Sequence, residues 1–123
     1  MPIFLFLLLG IIVLALPVMS YAEQSSYSVT SVRNGQVLAP HPIPWEFHRG
    51  GKIEARGVWR GECEQSGPSE LRCKTIDNQG NRGRFLIHFE NHCEEFKAYT
   101  RDELIGIGTR ISGDYCPVGR RRY

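Results

Sequence analysis

The chain has 123 residues, which suffices for one small domain and leaves no room for a second hydrophobic core. Its formal net charge at pH 7 is +2, and the C-terminal run Arg120, Arg121 and Arg122 supplies +3, so the rest of the chain carries about −1. This balance excludes the strongly basic composition that is typical of a dedicated nucleic-acid-binding domain.

Residues 1–22 have the pattern of a secretory signal peptide. Residues 3–16 are apolar or small throughout, Pro17 ends the run, and Ser20 and Ala22 are small residues at the positions that a signal peptidase reads. Cleavage after Ala22 predicts a secreted or periplasmic domain with no membrane span. No Lys or Arg precedes the apolar run. The alternative is an uncleaved segment that anchors the domain in a membrane, facing away from the cytosol, since the apolar run needs only a little extension through residues 18–22 to span it.

The four cysteines are predicted to form two disulfides, as is usual in a small exported domain. They are spread singly along the chain, and no close pair supplies half of a zinc site. We therefore expect no metal and no cofactor. The four positions are Cys63, Cys73, Cys93 and Cys116.

Residues 23–50 are predicted to form an N-terminal hairpin and a Pro-rich loop. Asn34 and Gly35 lie between β-forming residues over residues 28–38, which is a strong hairpin signal. The prolines of residues 40–44 favour an extended loop, since proline supplies no backbone donor. Trp45 and Phe47 give this loop apolar mass, either to cover an edge of the core or to contact a partner.

Residues 53–64 are predicted to form one long strand. Ile53, Ala55, Gly57, Trp59, Gly61 and Cys63 fall on its inward face, and charged residues fall on the other. A second strand over residues 70–76 follows a turn. Opposing Cys63 to Cys73 also opposes Glu62 to Lys74 and Glu64 to Arg72, which are favourable cross-strand pairs. This register predicts a Cys63–Cys73 disulfide and leaves Cys93–Cys116 as the second, although four cysteines allow three pairings.

The remaining elements are a turn, a strand, a short helix and a last strand. Residues 77–81 have the composition of a turn, and residues 84–89 alternate with Phe85, Ile87 and Phe89 inward. Residues 93–104 lack a strand period and place Phe96 and Tyr99 at helical spacing, so we predict a short helix or turn there. Alternation returns over residues 105–111 in the last strand.

Two segments of this pattern resemble the OB-fold. Residues 71–80 end in an Asp-x-x-Gly turn and lead into residues 84–89, as in the second and third strands of that fold. Residues 104–113 are similar to its fourth strand. The resemblance implies a small barrel of five to six strands with one short helix and two disulfides, over residues 51–116, followed by a basic tail, residues 117–123. Too little chain follows Cys116 for an ordinary fifth strand. Either the hairpin of residues 28–38 closes the barrel, or the fold is another small β-barrel or sandwich.

The sequence predicts a non-enzymatic binding or protein-interaction module and does not name its ligand. An outward basic face is the candidate ligand site. It either binds an anion such as a glycan or a lipid headgroup, or it is a solvated charged surface without a ligand. Nucleic acid is less favoured, because Trp59, Phe85 and Phe89 fall on the inward side and leave no exposed aromatic for base stacking. The residues of this face are Arg56, Arg60, Arg72, Lys74, Arg82 and Arg84.

Two alternatives remain open. A small secreted hydrolase such as a nuclease would depend on His88 or Glu90, although no catalytic residue is assigned. A secreted inhibitor or effector would act through the Pro-rich loop and its Trp45.

Overall fold

A computed structural model describes residues 24–38 and 41–119 of the chain. The predicted leader and the run of arginines at the C-terminus lie outside these ranges. The described residues form β-strands and turns and contain no helix. Among them there is thus no helix that could cross a membrane. The strands are β1 (Gln24–Arg33), β2 (Gln36–Val37), β3 (Ile43–His48), β4 (Lys52–Ala55), β5 (Trp59–Gly67), β6 (Glu70–Asp77), β7 (Arg82–Glu90), β8 (Glu95–Thr100) and β9 (Glu103–Gly113).

The strands form a closed antiparallel barrel. β1 and β3 to β9 follow one another around the ring in chain order, and β1 pairs with β9 to close it. The short β2 pairs with β1 outside the ring. The predicted small β-barrel is therefore confirmed, with eight strands in the ring rather than five or six. β1, which contains the first strand of the predicted hairpin of residues 28–38, closes the barrel by pairing with β9, and β3 also belongs to the ring, so the barrel begins before residue 51.

The predicted long strand over residues 53–64 is two strands, and this part of the prediction was wrong. A turn at residues 56–58 separates β4 from β5, with the Val58 amide donating to the Ala55 carbonyl at 2.8 Å. Gly57 has a φ of 80°, a conformation that glycine adopts without steric cost. Ala55 and Trp59 oppose each other across this turn, so the odd-numbered residues face inward both before and after it.

The predicted short helix in residues 93–104 is also wrong, because Glu95–Thr100 form β8. Phe96 and Ala98 point into the barrel, and Tyr99 points outward. The strand begins after a turn in which Asn91, His92 and Cys93 have φ values of 52°, 55° and 67°. It ends at the tight turn of Arg101 and Asp102, both with positive φ, as a two-residue hairpin loop requires. Pairing with β7 and β9 on either side therefore overrides the helical spacing of its aromatics.

The predicted register between β5 and β6 is confirmed at all three positions. Cys63 opposes Cys73, Glu62 opposes Lys74 and Glu64 opposes Arg72. Both predicted disulfides are present, Cys63–Cys73 and Cys93–Cys116. Two disulfides in so small a domain indicate an oxidising environment of the extracellular type.

Aromatic side chains fill the barrel. Tyr27, Phe47 and Phe96 are fully or almost fully buried, and each such ring removes roughly 150–250 Å² of surface from water. On β9, Gly106 and Gly108 face this core and Ile105 packs partly against it, while Ile107 and Ile111 point outward with 38% and 60% of their surface exposed. Gly108 packs directly against the Phe96 ring, so a side chain there would collide with it.

Trp45 and Phe47 belong to this core. Their exposed fractions are 9% and 2%, and the Trp45 ring packs against those of Trp59, Phe85 and Phe96 at centroid distances of 5.0, 5.3 and 5.5 Å. Of the two predicted uses of these side chains, covering the core is the one with which their burial agrees. Residues 43–48 form a barrel strand, and its alternation carries both side chains inward.

A buried tyrosine ties β1 to the turn before β8. The Tyr27 hydroxyl donates to the Cys93 carbonyl at 2.5 Å, and the Arg110 guanidinium donates to the same carbonyl at 3.1 Å. Burial in the apolar core raises the pKa of Tyr27 to about 12, against a smaller opposing effect of the Arg110 charge.

Candidate functional site

Five of the six predicted ligand residues lie together on the outer face of the barrel. Outward side chains of β5, β6 and β7 line an open groove of about 1780 Å³, to which the β8–β9 turn also contributes. Arg101 in that turn was not predicted, because residues 93–104 were assigned to a helix. We call this surface the basic groove. Its six principal cations are Arg60, Arg72, Lys74, Arg82, Arg84 and Arg101.

Among the described residues, these six cations have no carboxylate partners. In the part of the chain that the structure describes, none of them takes part in an ion pair. Glu62 lies opposite Lys74 in the strand register, but its carboxylate pairs with Lys52 on the other side at 3.1 Å. The predicted cross-strand neutralisation of Lys74 by Glu62 and of Arg72 by Glu64 is thus absent as an ion pair, although the register is correct.

The strand register also places like charges next to each other. Lys74 on β6 lies directly opposite Arg84 on β7, an arrangement that destabilises a sheet when nothing neutralises it. Arg82 is two residues from Arg84 on the same face, about 7 Å along the strand. Seven lysines and arginines line the groove against three glutamates, a positive excess that the nearly neutral chain as a whole does not show.

Apolar side chains lie at two separate places in the basic groove: Ile76 is in the row of Arg82 and Leu86 in the row of Arg72, with the row of Lys74 and Arg84 between them. Ile76 and Leu86 expose 36% and 37% of their surface, and Leu86 lies directly opposite Tyr99 on β8. Arg72 lies opposite Leu86 on its other side, so Arg72, Leu86 and Tyr99 form one row across three strands. Reading residues 93–104 as a strand would have placed Tyr99 here.

The turn between β6 and β7 shapes one end of the groove. The Asp77 carboxylate accepts hydrogen bonds from the backbone amides of Asn81 and Gln79 at 2.9 and 2.8 Å. These bonds, led by that from Asn81, lower the pKa of Asp77 below its ordinary value. The predicted turn of residues 77–81 is therefore present, and it fixes the start of β7 at Arg82.

Arg56 is the one predicted ligand residue outside the groove. It lies in the turn between β4 and β5, and its Nη2 donates to both carboxylate oxygens of Glu46, at 3.2 and 2.9 Å. Arg56 was predicted to point outward, and it does, but the turn directs its side chain toward β3.

Glu46, His48 and Glu54 form the single group, among the described residues, with metal-ligand geometry. Their potential ligand atoms all lie within 4.8 Å of one another. The His48 Nε2 is 3.4 Å from Glu46 and 3.7 Å from Glu54. Arg56 already occupies both oxygens of Glu46, so a metal ion would have to displace a cation. Because Arg56 already neutralises Glu46, we assign the group no metal.

The residues considered for hydrolysis, His88 and Glu90, lie two residues apart on β7, away from the groove. The Glu90 carboxylate lies 3.6 Å from the Lys97 ammonium, and His88 is exposed on the outer face of β7. Neither residue lines the basic groove. Comparisons with protein-family models, with curated proteins and with solved structures found no match in any of the three. The most specific functional feature of the described surface is thus its basic groove.

Proposed function

We propose that this chain is an exported, non-enzymatic binding module whose ligand is an elongated polyanion held in the basic groove. The observation that carries the proposal is the set of six groove cations without a carboxylate partner. A protein surface normally intersperses both signs of charge. Concentrated positive charge attracts an anion by long-range steering as well as by direct pairing.

The cost of this arrangement in the free protein supports the proposal. Lys74 and Arg84 repel each other across β6 and β7, and Glu62, which lies opposite Lys74 on β5, is engaged by Lys52. A bound anion would remove this repulsion and add charge-assisted hydrogen bonds, which arginine forms with phosphate, sulfate and carboxylate groups. The open shape of the groove suits a chain that passes through it better than a small enclosed ligand.

Export through cleavage of residues 1–22 is part of the proposal, and the two disulfides support it. The resemblance to the OB-fold carries no part of it. That fold is a five-stranded barrel with Greek-key order, whereas this ring has eight strands in simple sequential order. Binding is proposed rather than catalysis, since the groove lining unites no nucleophile with a general base.

The test uses the mature chain, residues 23–123, and inorganic polyphosphate as the probe, with affinity measured by calorimetry at two salt concentrations. We expect binding that weakens steeply with salt, because association releases counterions. Replacing Lys74 and Arg84 together by glutamine should weaken binding about tenfold or more. Lys97→Gln is the matched control, since Lys97 lies on the outer face of β8 outside the groove and pairs with Glu90. Equal affinity of all three proteins, or no binding at low salt, would reject the proposal.

A further inference from the structure

Tyr99 is an aromatic side chain on the outer surface that the core does not use. The rings of Tyr27, Trp45 and Phe96 pack against other rings inside the barrel, whereas Tyr99 makes no ring contact with any aromatic of the described residues. It lines the basic groove beside Leu86. An aromatic ring next to unpaired cations is the combination that single-stranded nucleic acids require, because bases stack on the ring while phosphates meet the charges.

We infer that the polyanion in the basic groove is a single-stranded nucleic acid, with a base stacked on Tyr99 and backbone phosphates on Lys74, Arg84 and Arg101. This inference rests on the proposed function and names its ligand. In the sequence, nucleic acid was disfavoured by the nearly neutral charge and by the inward positions of Trp59, Phe85 and Phe89. β8 supplies the outward aromatic that those strands lack.

The arrangement of the rows fits such a ligand. Leu86 and Tyr99 form an apolar platform across β7 and β8, and Lys74 and Arg84 form the neighbouring row, two residues away along the strands. That separation is about 7 Å, within the reach of long basic side chains. The Thr100 hydroxyl donates to the Arg84 carbonyl at 3.1 Å and thereby fixes the end of β8 beside β7. The turn that contains Arg101 begins at this point.

Other polyanions use this surface less completely. A polyphosphate has no planar group to place on Tyr99, so the platform would contribute nothing to its affinity. A sulfated polysaccharide is held mainly by its charges. Base stacking on an aromatic side chain is insensitive to sequence, so we expect binding without a strong base preference.

The experiment compares three probes on the mature chain: a twelve-nucleotide oligothymidylate, an abasic phosphodiester oligomer of the same charge, and a heparin-type sulfated oligosaccharide. Each is titrated into the wild type, Tyr99→Ala and Tyr99→Phe. We expect Tyr99→Ala to weaken oligothymidylate binding about 5- to 150-fold and to leave abasic binding within twofold. Tyr99→Phe keeps the ring and should bind like the wild type. Thermal unfolding of each variant checks that the barrel is intact.

The outcomes separate the two levels of the proposal. If oligothymidylate and the abasic oligomer bind equally and Tyr99→Ala changes neither, the nucleic-acid inference is overturned while polyanion binding stands. If the sulfated oligosaccharide binds tightest and is insensitive to Tyr99, the ligand is a glycan, and the inference is likewise overturned. If no probe binds the wild type at low salt, the proposed function itself fails.

Discussion

Reversing the charge of Arg84 should stabilise the free protein while it weakens ligand binding. Arg84 lies directly opposite Lys74 and shares the groove with Arg101, and it has no carboxylate partner among the described residues. Arg84→Glu would replace cross-strand repulsion by attraction. An opposite-charge cross-strand pair contributes roughly 0.2–1 kcal/mol, and a like-charge pair is destabilising. The free energy of unfolding should therefore rise by about 1 kcal/mol.

For a domain of this size that gain corresponds to a rise in Tm of about 4–8 °C, measurable by differential scanning calorimetry at low salt. Arg84→Gln removes the repulsion without adding attraction and should give a smaller rise. Both gains should shrink at high salt, since exposed charges are screened. A fall in Tm for Arg84→Glu would refute the reasoning, because it would mean that the folded barrel already neutralises Arg84.

Three further predictions concern the core and the disulfides. The pKa of Tyr27 is raised from its usual 10.0 to about 12, so folding favours the protonated hydroxyl. This contribution to stability is complete below pH 10 and is lost as the pH rises toward 12. Tyr27→Phe should lack this pH dependence, which urea unfolding at pH 9 and pH 11 can show. Gly108→Ala should cost about 1–3 kcal/mol, because its new methyl group collides with the Phe96 ring; an unchanged urea midpoint would contradict that packing. Replacing Cys93 and Cys116 together by serine should lower the free energy of unfolding by about 2–4 kcal/mol, read from the same measurement.

Local patterns in the sequence were enough to predict the register between β5 and β6, apart from the β-bulge between Gln65 and Gly67. This register rests on two cysteines and two opposite-charge pairs that lie within fifteen residues of one another, so neighbouring side chains alone specify it. The same alternation concealed the turn at residues 56–58. A three-residue turn between the opposed pair Ala55 and Trp59 preserves the inward parity, so only Val58 interrupts the pattern.

β8 was missed because its strand character comes from distant neighbours. Ala98 has no strong strand preference, and the spacing of Phe96 and Tyr99 also suits a helix. Pairing with β7 and β9 decides the conformation, and those partners follow from closure of the ring. The same error hid Tyr99 and Arg101 from the predicted ligand face. The alternation of inward and outward residues along β5 to β7 was sufficient to predict the other five groove cations.

The central claim is that a polyanion binds the outer face of β5 to β7, and amide chemical-shift mapping of the mature chain with a short anionic oligomer tests it most directly. We predict shifts that concentrate at Lys74, Arg84 and Arg101 and saturate with a single affinity. The amides of Ser28 and Thr30 on β1, across the ring from β6, should stay in place. Shifts centred on β1, or spread evenly around the barrel, would contradict the account.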